Sequence, residues 1–165
     1  MAEVTEQDDE YRIAFLELVD DVCSELGYPP RGAAPESDEA LAMEMELDGV
    51  PFAVVHMRNT VQDRVLIECR FGTIPQDRAL AVMMRLLQLN RGFADLGERA
   101  FGIDADTGDV IFTTARDLFE ATGSSLLSVM TEMTWQARQW NDNYFLDEAS
   151  QPAAAGLPLH MTSLA

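Results

Sequence analysis

One helix constrains this chain more than any other segment. Thr73 is a candidate cap, Pro75 fits a first helical turn, and the helix is expected from Pro75 to Phe93. At 100° per residue, Ala79, Leu80, Val82, Met83, Met84, Leu86, Leu87, Leu89 and Phe93 spread over an arc of roughly 220°. Packing on one sheet uses only about half of such an arc. The remaining apolar stripe needs a second partner. In a chain of 165 residues a second copy of the same chain is favoured over cover by its own last helix.

The flanking segments alternate between two periodicities. From Asp9 to Leu26 the apolar residues Tyr11, Phe15, Leu18, Val19, Val22 and Leu26 recur at helical spacing, with Gly27 as the stop and Pro29 and Pro30 beyond it. Residues 31–39 read as a loop. Leu41, Met43, Met45 and Leu47 then alternate with Ala42, Glu44 and Glu46, the pattern of a strand with one buried and one wet face. Asp48-Gly49 signals a tight hairpin into Val50 to Met57. A third strand places Val65, Ile67, Cys69 and Phe71 on one side, which completes an antiparallel meander.

Two further strands, Arg99 to Asp104 and Asp109 to Thr114, flank the turn at residues 105–108. A last helix from Gly123 to Phe145 carries the seam Leu126, Met130, Met133, Ala137, Trp140 and Tyr144. The order is helix, three strands, helix, two strands, helix: an α+β fold with helices packed on an antiparallel sheet. The expected organisation is a flexible acidic N-terminus over residues 1–8, one domain over 9–148, and a flexible Ala/Pro-rich tail over 149–165.

Charge narrows the partners. Asp and Glu number 29 against 11 Lys and Arg, a net charge of −18, so clustered cations for nucleic acid or an anionic membrane surface are not to be expected. No apolar run approaches the roughly 20 residues of a membrane span. The first ten residues are acidic and lack the basic and apolar regions of a signal peptide. Cys23 and Cys69 make no disulfide framework. The expectation is an acidic cytoplasmic protein.

Groups that do chemistry are few. His56 falls in a strand and is read as structural, and His160 falls in the tail. Neither cysteine has a histidine at a recognisable nucleophile or zinc spacing. As a calcium loop, the segment from Asp104 fails at the fifth, sixth and twelfth places, held by Gly108, Asp109 and Ala115. Gly92, Gly97 and Gly102 are too widely spaced to cradle a phosphate. No catalytic residue, no metal and no cofactor is expected. The chain has nine methionines, and Met43, Met45, Met83, Met84, Met130 and Met133 fall on expected apolar faces. Flexible, polarizable thioethers suit surfaces that accept varied apolar partners.

With these elements in place, the chain resembles the class I type III secretion chaperones, the Tir-chaperone-like (CesT-like) family of small acidic bacterial proteins, over Tyr11 to Tyr144. The residues carrying the likeness are Leu86-Leu87-Gln88-Leu89-Asn90 and the hairpin Phe101-Gly102-Ile103-Asp104 with Gly108-Asp109-Val110-Ile111-Phe112. Phe15, Leu18 and Leu26-Gly27 of the opening helix and the turn Leu47-Asp48-Gly49 complete the set. The resemblance implies a homodimer paired through the second helix, at Leu80, Met83, Met84 and Leu87. It implies a client as well, the N-terminal segment of a secreted effector kept soluble and extended, with the secretion apparatus as a further partner. The implied effector-binding residues are Phe15, Val19, Met43, Met45, Phe52, Val54 and Phe112, for each of which core burial is the alternative. A non-catalytic regulator or adaptor with the same fold is the other reading, because fold alone does not assign function.

Overall fold

The computed structural model describes residues 2–29, 40–57, 63–94 and 98–147. Helix α1 spans Ala2–Glu25, and strands β1 (Ala40–Leu47), β2 (Val50–Met57) and β3 (Arg64–Thr73) follow. A 3-10 turn over Gln76–Arg78 leads into α2 (Ala79–Phe93), then β4 (Arg99–Ile103), β5 (Asp109–Asp117) and α3 (Gly123–Asn143). The α+β order is as expected. The tail at 149–165 and the loop at 31–39 lie outside the described residues.

The five strands form one antiparallel sheet in the order β1-β2-β3-β5-β4. The meander β1-β2-β3 is therefore real, but β5 enters next to β3 and pushes β4 to the far edge. At the β1–β2 hairpin Leu47 pairs with Val50, and Asp48 and Gly49 hold φ values of 53° and 82°. Positive φ at both central residues is the turn whose twist matches the strands it joins. This turn fixes the register of β1, and register decides which side chains go inward.

The core lies between one face of the sheet and the helices. Phe15, Leu18, Val19 and Val22 of α1 are buried there with Val65, Ile67, Cys69 and Phe71 of β3 and Leu126, Met130, Met133, Ala137 and Trp140 of α3. The α3 seam read from the sequence is thus its packed face. Helices α1 and α3 cross closely, since a Cβ at Gly123 would sit 2.7 Å from the Asp21 carbonyl carbon. Only glycine allows that approach. An aromatic cluster closes the opposite end: the Phe101 and Phe112 rings stack at 4.5 Å, and Phe145 meets Phe101 at 5.8 Å and Trp140 at 5.7 Å.

Four local details differ from the sequence expectation. Helix α1 begins at Ala2 rather than Asp9, because its backbone continues beyond the apolar stripe that marks it in the sequence. Pro75 caps the 3-10 turn with an extended backbone, and α2 starts at Ala79 with Arg78 as an N-cap that makes no side-chain hydrogen bond, so Thr73 is not its cap. β5 runs to Asp117 instead of Thr114. Helix α3 stops at Asn143, where Tyr144 and Phe145 both turn left-handed with φ of 55° and 56°. That reversal swings Phe145 into the core, and Arg85 of α2 donates from Nε to its carbonyl at 3.0 Å.

Candidate functional site

Of the seven residues expected to meet a client, six lie in the core: Phe15, Val19, Met43, Phe52, Val54 and Phe112 are each at most 5% exposed. Their burial follows from strand alternation and helix periodicity, which mark an inward face and not a binding face. In the chain alone these six take the alternative of core burial. Met45 differs in being half-buried at the edge of the core, and it lines, with Phe52, a cleft described below.

Among the described residues the other face of the sheet carries no helix. Ala42, Glu44 and Glu46 of β1, Pro51, Ala53 and Val55 of β2, Glu68 and Arg70 of β3, and Ile111 and Thr113 of β5 all point there, and none is buried. A cleft of about 430 Å³ opens on this face, bounded by Glu44, Glu46, Pro51, Ala53, Glu68, Arg70 and Ile111, with Met45 and Phe52 at its base. Among the described residues that line the cleft Arg70 is the one cation, and it is drawn to Asp109 at 3.4 Å. Glu44, Glu46 and Glu68 form no ion pair among the described residues.

The two edges of the sheet are finished differently. At β4 the Asn90 side chain of α2 reaches the strand: its Nδ2 donates to the Phe101 carbonyl at 2.9 Å, and its Oδ1 accepts from the Phe101 N–H at 2.7 Å. One amide side chain thereby satisfies both backbone groups of an edge residue, as a neighbouring strand would. At β1 no described element lies beyond the strand.

Helix α2 buries only Val82, Leu86 and Phe93. On its outer side Leu80, Met83, Met84 and Leu87 are 74%, 43%, 55% and 68% exposed. The four residues expected to pair two copies are thus brought together in one apolar stripe at three- and four-residue spacing. A groove of about 360 Å³ continues it toward β4, between Met83, Leu87 and Asn90 on one wall and Phe101, Gly102 and Ile103 on the other. The sequence signalled this face through its oversized arc. Asn90 gave no such signal, because an asparagine inside a helix has no periodic signature.

The remaining polar groups are structural. His56 is 1% exposed, with its ring stacked near Phe15 at 5.8 Å and Tyr11 at 6.2 Å. Burial pushes the Cys69 thiol up, so it stays protonated. The backbone N–H groups of Thr107 and Asp106, each 2.9 Å from Oδ1 of Asp104, hold that carboxyl below its ordinary range and make it a turn anchor. Glu98 accepts from Arg64 at 3.0 Å and raises the guanidinium pKa. Among the described residues no three His, Cys, Asp or Glu side chains converge as metal ligands, and no helix is long and apolar enough to cross a membrane.

Residues 43–141 match the model of the Tir chaperone protein (CesT) family. Among solved structures the fold is similar to a chain of the ExsC-ExsE complex, with a TM-score of 0.62 at 16% identity over 81% of this chain and 95% of that one. A chain of the HopA1-SchA chaperone-effector complex follows at 0.57 and 15%, covering 79% and 95%. The Yersinia pestis type III secretion chaperone SycH, in complex with a fragment of YscM2, gives 0.51 and 13%, covering 75% and 97%. At these identities the likeness is one of fold. A search of curated proteins gives no match.

Proposed function

The chain belongs to the Tir chaperone protein (CesT) family, and on that premise we propose that it is a type III secretion chaperone. It binds the N-terminal segment of a secreted effector in the bacterial cytoplasm and keeps that segment extended, soluble and competent for secretion. The family match over residues 43–141 carries the reading. Support comes from the similar folds of a chain of the HopA1-SchA chaperone-effector complex and of the type III secretion chaperone SycH. No catalytic step belongs to the mechanism. The gain is that a client's apolar residues are shielded while its backbone stays unfolded, and the entropy lost on ordering is offset by contacts along an extended surface.

The working unit in this proposal is a homodimer. Leu80, Met83, Met84 and Leu87 form the unpartnered stripe of α2, and a two-fold axis would set it against its own copy. That arrangement leaves the open sheet face and the β1 edge of each protomer free for a client.

The test is a pull-down of the tagged chain from the bacterium that encodes it, with bound proteins identified by mass spectrometry. Recovery of a larger secreted protein, lost when that protein's N-terminal segment is deleted, is the expected result. Recovery of a regulator and of no secreted protein would overturn the reading.

A further inference from the structure

We propose that α2 pairs with its own copy in one antiparallel register, held at each end by an ion pair between Asp77 and the partner's Arg91. The inference rests on the homodimer of the proposed function and specifies what makes the stripe select a second copy of this chain.

The apolar stripe of α2 is bounded by opposite charges. From Leu80 the steps to Met84, Leu87 and Arg91 are four, three and four residues, so Arg91 continues the same face of the helix. Arg91 is exposed, and its guanidinium makes no ion pair among the described residues. The other cation of this helix, Arg85, is engaged with the Phe145 carbonyl and the Gln88 side chain. At the opposite end Asp77 lies three residues before Leu80, in the Gln76–Arg78 turn, with its side chain 80% exposed. Its ion pair among the described residues is with its chain neighbour Arg78 at 3.9 Å, and a pair so exposed is worth little. No Asp or Glu occurs within Ala79–Phe93, although the chain carries 29 of them.

A two-fold axis normal to the helix at the middle of the stripe, between Met83 and Met84, sets two copies antiparallel. Leu80 then lies opposite the partner's Leu87, and Arg91 comes opposite the turn that carries the partner's Asp77. Symmetry makes the charged contact twice. Packed helix axes lie about 8–10 Å apart, a gap that an arginine and an aspartate span from opposite sides. A parallel pair would set arginine beside arginine and aspartate beside aspartate, and like charges cost about what opposite charges gain. The charged ends thus fix direction and register, which the interchangeable Leu and Met side chains between them do not. They also name the occupant. Two chains of net charge −18 repel at long range, so self-pairing needs local attraction, and an unrelated apolar segment would leave Asp77 and Arg91 without counter-charges.

Acid before the first turn and base in the last also suit the dipole of a lone helix, and charge reversal separates that effect from pairing between protomers. The variants are Asp77→Arg and Arg91→Asp in the full chain, with dimer dissociation read by sedimentation equilibrium and folding by far-UV circular dichroism. Each variant alone sets like charges opposite one another at both ends, so its dissociation constant should rise about tenfold while the dichroism stays native. Mixed in equal amounts the two variants restore both ion pairs, and the heterodimer should recover the unmodified dissociation constant and outnumber either homodimer. The double variant, which restores the pairs with their signs exchanged, should recover it as well. Unmodified constants in both single variants, or weakened variants that do not recover on mixing, would overturn the register and leave the homodimer and the chaperone reading standing. An unmodified chain with the mass of one protomer would overturn this proposal together with the homodimer, while the effector pull-down reads the chaperone assignment independently.

Discussion

The two edges of the sheet solve one problem in opposite ways. Edge strands expose unpaired backbone groups that invite unwanted pairing. At β4 the solution is cover: α2 lies alongside, and Asn90 hydrogen-bonds both backbone groups of Phe101. At β1 the solution is charge: Glu44 and Glu46 stand exposed on the strand, which discourages indiscriminate strand addition without blocking it. Cover is permanent, whereas charge is selective.

Changes that break this contrast differ in size. Phe112→Ala should act most strongly, because its ring packs against both the Phe101 ring of β4 and the Phe93 ring of α2. A loss of about 3–5 kcal/mol in urea unfolding is expected for a buried phenylalanine, and a native-like midpoint would return Phe112 to the client surface. Asn90→Ala strikes the covered edge alone. It leaves the Phe101 N–H and C=O without their partners, which costs about 2 kcal/mol, and light scattering should then detect concentration-dependent association through β4. Gly49→Ala strikes the charged edge instead. Forcing a Cβ at φ of 82° costs about 1 kcal/mol, read as a lower denaturation midpoint. Leu87→Asp should change protomer stability by no more than about 0.5 kcal/mol, since Leu87 is 68% exposed. If the proposed homodimer pairs through α2, it should nevertheless reduce the light-scattering mass from that of two chains to that of one; an unchanged mass would overturn that pairing.

Much of the fold was legible because an antiparallel sheet with one wet face writes its burial into alternate residues. Val65, Ile67, Cys69 and Phe71 could be assigned to one side by counting alone, and all are buried. Strand order was less accessible: whether β4 or β5 sits beside β3 depends on long-range pairing that leaves no local mark. The end of α3 was hidden for a related reason. Tyr144 and Phe145 carry no turn signal in the sequence, and their left-handed backbone is held by distant partners, the surrounding aromatic cluster and the Arg85 hydrogen bond to the Phe145 carbonyl. The expected client residues show a limit of a different kind. Hydrophobicity locates surfaces excluded from water, but it does not say whether the chain's own core or a partner excludes it. For α2 the excess over one core's needs revealed an exposed stripe. For Phe15, Val19 and Phe52 there was no excess, and the core claimed them.

The pleat of β1 has a consequence for how such a protein can change. Leu41 and Met43 bind the strand to the core, while Glu44 and Glu46, its neighbours in sequence, touch nothing that holds the fold together. Two codons can therefore alter the edge's charge pattern without altering the scaffold. A single-residue insertion in the Asp48-Gly49 turn has a different character, because loop length selects the turn type on which the pairing register of β1 and β2 depends. The charge of this strand can therefore change by point mutation, whereas a change of turn length reaches the pairing itself.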